Sequence, residues 1–142
     1  MQYKIGMKGQ ILLEALVALS IATVVITVVT STVLSSLNNS IESKNQNRAT
    51  QYAQEGMEVM RSHADVAVGT TGCLGKGITQ LQPNCTTPNI DGIFIRRVAV
   101  TSSPISCGTS LKQVRITVSW ADAKCATGTY CNSVPLVSCL PI

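Results

Sequence analysis

From Ala15 to Leu37 the chain carries no charged residue, and from Gln10 to Glu55 it carries neither proline nor glycine. A run of that composition has few options. About 20 apolar residues, rising 1.5 Å each, span a ~30 Å hydrocarbon core as a single helix. A helix that is apolar all round cannot lie on a small domain with water on its outer side. One residue breaks the uniformity: Glu14 sits at the edge of the run. A charge at mid-bilayer costs roughly 2.5–3.5 kcal/mol, so Glu14 requires a compensating partner.

Three kinds of segment fit such an N-terminus. A secretory signal peptide is shorter and has no carboxylate inside its boundary. A simple signal anchor fits the length. A segment that occupies the membrane for a time and then packs against copies of itself fits the length and also gives Glu14 a use. Ser20, Thr23, Thr27, Thr30, Ser31, Thr32, Ser35 and Ser36 are spread through the run. Their hydroxyls can bond back to the preceding turn, and their small size suits close helix–helix contact.

The helix does not end with the apolar run. Asn38, Asn39 and Ser40 form a weak point but supply no strong breaker. Beyond Ile41 the pattern turns amphipathic. Ala49, Tyr52, Ala53, Gly56, Met57, Met60 and Ala64 recur at i, i+3 and i+4. Glu42, Lys44, Arg48, Gln51, Glu55 and Glu58 fill the other side. The spacing predicts one helix over about residues 11–64, with an apolar half at 10–37 and an amphipathic half at 38–65. Gly56 costs about 1 kcal/mol inside a helix relative to alanine. Its place on the apolar stripe implies close approach of a neighbouring element. Glu58 and Arg61 are spaced for a weak surface pair.

Gly9-Gln10-Ile11-Leu12-Leu13-Glu14-Ala15-Leu16-Val17-Ala18-Leu19 resembles the cleavage and assembly motif of type IV pilins and pseudopilins. The resemblance implies that a prepilin peptidase removes residues 1–9 by cutting between Gly9 and Gln10. It implies methylation of the new amino group on Gln10. It also implies that Glu14 pairs with the amino terminus of an adjacent subunit during assembly, which removes the anomaly of a lone carboxylate in an apolar setting. Two departures stand out. Many members begin the mature chain with Phe, where this one begins with Gln10. Many carry Pro or Gly midway in the apolar half, which is absent here, so a continuous helix is expected from Thr23 to Ser36.

The second half reads as β structure. Residues 66–91 are punctuated by Gly69, Gly72, Gly75, Gly77, Pro83 and Pro88 and read as loop. Residues 93–101 have strand composition. In the segment 111–120, Val114, Ile116, Val118 and Trp120 alternate with Gln113, Arg115, Thr117 and Ser119, the signature of a half-buried strand. A third strand is expected over about 132–140, where Pro135 confines it to an edge or a bulge. The expected fold is α+β: a long N-terminal helix on a three-stranded antiparallel meander, matching the globular domain that the pilin resemblance implies.

All six cysteines, Cys73, Cys85, Cys107, Cys125, Cys131 and Cys139, follow the helix. An even number in a region expected outside the cytoplasm implies disulfides. Cys73 and Cys85 share the loop between helix and sheet. Cys125 and Cys131 share the next loop but one. In an antiparallel meander the end of the last strand lies beside the start of the one before it, which places Cys139 near Cys107. The expected pairs are therefore Cys73–Cys85, Cys107–Cys139 and Cys125–Cys131. No Cys/His spacing suits a metal.

Little else carries chemistry. The 142 residues have a net charge of +4 and are 45% hydrophobic but only 4% aromatic, and the charge is too small and scattered to mark a nucleic-acid binder. Gly72-Cys73-Leu74-Gly75-Lys76-Gly77 lacks the spacing of a phosphate loop. His63 has no nucleophile partner, and Arg96-Arg97 reads as a solvated strand pair. No enzymatic activity, cofactor or metal is expected. The expectation is a structural subunit of a type IV pilus, major or minor, serving adhesion, motility or DNA uptake. Its precursor spans the cytoplasmic membrane once, with Lys4 and Lys8 inside. The resemblance implies further partners: other pilins, the prepilin peptidase, and a membrane assembly platform with its ATPase motor. It then implies a cell-surface filament. Two alternatives are a pseudopilin of a type II secretion or competence system and a signal-anchored extracellular binding domain.

Overall fold

The computed structural model describes residues 7–63, 65–85, 89–102, 104–122 and 124–141. Lys4, Ala64 and Pro88 lie outside the described residues. The chain forms helix α1 (Met7–Ser62), strand β1 (Thr71–Cys73), strand β2 (Phe94–Ser102), the one-turn helix α2 (Pro104–Cys107), strand β3 (Leu111–Trp120) and strand β4 (Asn132–Pro141). It divides into two compact units, Met1–Ile41 and Glu42–Ile142.

In the first unit every side chain from Gln10 to Ile41 is exposed. Helical structure is unbroken from Thr23 to Ser36. The hydroxyls there are answered within the helix. Ser20 donates to the Val17 carbonyl, Thr23 to Ser20, Thr27 to Val24, Thr30 to Ile26, and both Ser31 and Thr32 to Val28, each at 2.8–2.9 Å. This back-bonding satisfies the hydroxyls without any partner outside the helix.

In the second unit the remainder of α1 packs on an antiparallel sheet of order β1-β2-β3-β4. Ala49, Ala53, Gly56, Met57 and Met60 are buried as their spacing requires. They meet Phe94, Val98 and Val100 of β2 and Val114, Ile116, Val118 and Trp120 of β3, all buried in one cluster. Tyr52 sets its ring edge-on to Phe94 at 5.4 Å between centroids, and Phe94 tilts against Trp120 at 5.9 Å. Such aromatic pairs add ~0.5–1.5 kcal/mol beyond the area they bury, which concentrates this chain's few aromatics where they count most.

The sheet has four strands, not the three expected from the sequence. The extra strand, β1, lies in the segment read as loop. It pairs with β2 through Thr71–Ala99, Gly72–Val98 and Cys73–Arg97. Its other side is bridged at Cys73 to Gln82. Gly72 is required there, because a Cβ on it would stand 2.8 Å from the Gln82 carbonyl oxygen. A three-residue strand with glycine at its centre shows no alternation, so it has no periodic signal. Strand β4 lies at the opposite edge, where Pro135 is tolerated. Chain direction reverses before β2 at Asp91 and Gly92, with φ of 48° and 67°. Two successive positive φ values mark a type I′ turn, for which Asp-Gly is a preferred pair.

Candidate functional site

Gly9 and Gln10 lie near the start of α1, and Glu14 follows one turn later. Glu14 is exposed, and no cation meets it among the described residues. Around it stand Ile11, Leu12, Leu13, Leu16 and Val17, the first of these 67% exposed. The helix is long and apolar enough to cross a membrane by length and composition, and none of its most apolar stretch is buried. A carboxylate and a full circumference of unburied aliphatic side chains therefore share one short segment. Water is a poor environment for that surface: burying one large aliphatic side chain is worth ~1.5–3 kcal/mol.

The six cysteines meet as three disulfides, Cys73–Cys85, Cys107–Cys139 and Cys125–Cys131. These are the pairs named from chain order. A carboxylate oxygen of Asp122 lies within 4.8 Å of the Cys125 and Cys131 sulfurs. With both sulfurs oxidised, no thiolate is present there to hold a metal. The Asp122 carboxyl instead accepts the Lys124 and Cys125 backbone N–H groups. Those bonds and the Asn132 side chain hold its pKa below the usual carboxylate value.

Arg96 differs from its sequence reading. It is fully buried, not solvated, while Arg97 is exposed. Strand parity explains the split: Arg96 lies in phase with Phe94, Val98 and Val100 and points toward α1. Its Nε donates to the Leu74 carbonyl at 2.9 Å, Nη2 to Gly75 at 2.6 Å and Nη1 to Tyr52 at 2.8 Å. Glu55 stands 3.8 Å from Nη1. Burial pulls the guanidinium pKa down, and Glu55 opposes that shift. The alternation in β2 held the signal, but two adjacent arginines suggested a shared, solvated fate. Lys112 is a second buried cation in the same phase, with Nζ 2.8 Å from the Val66 carbonyl.

Three side chains meet at the type I′ turn. Tyr52 donates its hydroxyl to Asp91, and Lys76 lies 3.3 Å from the other Asp91 oxygen. Lys76 Nζ also stands 5.9 Å from the Tyr52 ring centroid. The glycine-rich loop thus supplies carbonyls to Arg96 and a lysine to Asp91, which accounts for its composition without a phosphate ligand. His63 contacts the Val59 carbonyl and the Ser62 hydroxyl at the end of α1. Glu58 and Arg61 form their surface pair at 3.3 Å. The chain matches no family model, no curated protein and no solved structure.

Proposed function

We propose that this chain is a filament subunit of the type IV pilin kind. Its precursor rests in the cytoplasmic membrane and is processed between Gly9 and Gln10. One observation carries the reading: every side chain of α1 from Gln10 to Ile41 is unburied, mostly aliphatic, and accompanied by a single carboxylate, Glu14. That surface needs lipid first and protein later. Transfer between the two changes little apolar exposure, since lipid tails are as apolar as leucine. Direction then comes from what lipid cannot provide, a cation for Glu14. The amino group freed at Gln10 of a neighbouring copy supplies one and fixes the axial register.

Mass spectrometry of the mature chain and shearing of filaments from producing cells test this reading. The mature chain begins at Gln10, and Glu14→Ala leaves the membrane pool intact while filament yield collapses. Normal yield from that variant, or a mature chain that retains residues 1–9, defeats the proposal.

A further inference from the structure

The ion pairs among the described residues of Glu42–Ile142 use Glu42, Glu55, Glu58 and Asp91. None lies on the solvent face of the sheet. None of the four strands contains a carboxylate side chain, yet that face carries two arginines. Arg97 is opposite Thr117, and Arg115 is opposite Ala99. The two are therefore diagonal neighbours on one face, at a spacing of ~7–8 Å. Both are exposed. Among the described residues, Arg97 reaches only the Cys85 carbonyl, at 3.3 Å, and Arg115 has no partner. Two like charges at this spacing offer each other no attraction, so the fold itself gains nothing from their proximity.

The opposite layer carries the complementary charge. Glu58 lies on the side of α1 away from the buried Ala49, Ala53 and Met60, and its side chain is 75% exposed. Among the described residues its one cation is Arg61, in a surface pair worth ~0–1 kcal/mol. Asp65, just past the helix, is exposed and meets no cation among the described residues.

We propose that Arg97 and Arg115 receive the Glu58–Asp65 end of α1 from a second copy of this chain. Guanidinium groups bind carboxylates through paired, charge-assisted hydrogen bonds, and arginine is enriched in protein interfaces. The neighbouring strand β4 adds an uncharged flank, since Cys125–Ile142 has no charged side chain. The contact joins the sheet layer of one copy to the helix layer of the next. Such a contact is heterologous, and it propagates without closing unless the rotation happens to form a ring. Nucleic acid is the less suitable occupant, because the sheet's solvent face offers no aromatic side chain for base stacking. The proposal rests on the filament reading given above.

Charge reversal in the full chain tests it, read as sheared-filament yield from producing cells. The disulfide-bonded membrane pool serves as the control for folding. Arg97→Glu with Arg115→Glu is expected to lower yield by about tenfold or more, within the range of a lost interfacial charge pair. Glu58→Arg with Asp65→Arg is expected to do the same. All four changes together restore yield, and Arg97→Lys with Arg115→Lys retains most of it. Undiminished yield from either reversed pair overturns the proposal, and so does a loss that the four-fold variant fails to rescue. Failure of the wild-type chain to form filaments would instead overturn the assembly reading on which it rests.

Discussion

Gly56 of α1 lies directly over Arg96 of β2, so closely that a Cβ on the glycine would stand 2.9 Å from Cδ of the arginine and 3.3 Å from its Nε. The guanidinium under the glycine is not free to retreat, because carbonyls of Tyr52, Leu74 and Gly75 hold it. Helix, sheet and connecting loop are fastened at this one point.

Gly56→Ala sets two effects against each other. Alanine gains about 1 kcal/mol in helix propensity. The clash falls on a tethered side chain and on Ile116 Cδ1 at 3.3 Å, and overpacking a filled core costs ~1–3 kcal/mol. The clash prevails, and chemical denaturation of the full chain in detergent will show a lower midpoint for the variant.

Arg96→Met removes the cation but keeps much of its bulk. Three carbonyls lose a charged donor, and hydrogen bonds to charged groups are worth ~1.5–3 kcal/mol each. Removing the ion also relieves its own desolvation, so the net loss is smaller than that sum, about 2–4 kcal/mol. Thermal unfolding measures it. Arg96→Lys does not rescue, because one ammonium lacks the planar fork that reaches three acceptors.

The Tyr52–Asp91 contact makes stability fall at both ends of the pH scale. The Tyr52 hydroxyl, then the Lys76 ammonium, hold the Asp91 pKa below its ordinary 3.8. A depressed carboxyl stabilises the fold above its unfolded pKa, and the gain disappears as pH falls through the folded value. Asp91, first through its hydrogen bond, raises the Tyr52 pKa above 10.0. That contribution is present below 10.0 and is lost as pH rises through the raised value. Tyr52→Phe flattens both limbs of a stability–pH curve, and an unchanged curve would refute the assignment.

The disulfides differ in what they constrain. Cys107–Cys139 closes a separation of 32 residues and Cys125–Cys131 one of 6. Loop-closure entropy then makes the first worth about 1.5 kcal/mol more than the second. Paired serine variants, Cys107→Ser with Cys139→Ser against Cys125→Ser with Cys131→Ser, compared by urea denaturation, will rank in that order.

Features with a period could be read from the chain. The stripe from Ala49 to Met60 repeats with the helix, and the alternation from Val114 to Trp120 repeats with the strand, so each predicted its own burial. The cysteine pairs followed because a meander fixes which strand ends are neighbours. Strand β1 could not be read, since Thr71-Gly72-Cys73 is too short to alternate and is placed by its ladder with β2 and a bridge to Gln82. Arg96 was misread for a different reason. Its position on β2 pointed inward, but its charge argued outward, and the carbonyls that settle the matter come from three separate places in the chain. At the N-terminus, Gly9, Gln10 and Glu14 were picked out by the resemblance of their segment to a known motif, and α1 holds all three near its start, with no partner for Glu14 among the described residues.

The six hydroxyls between Ser20 and Thr32 that bond to their own helix have one more consequence. A polar group answered from within has no bond to break when its neighbours are exchanged. Any passage of α1 between two oily environments can therefore run in either direction without a hydrogen-bonding barrier from these groups. These hydroxyls therefore add no directional preference of their own to such an exchange.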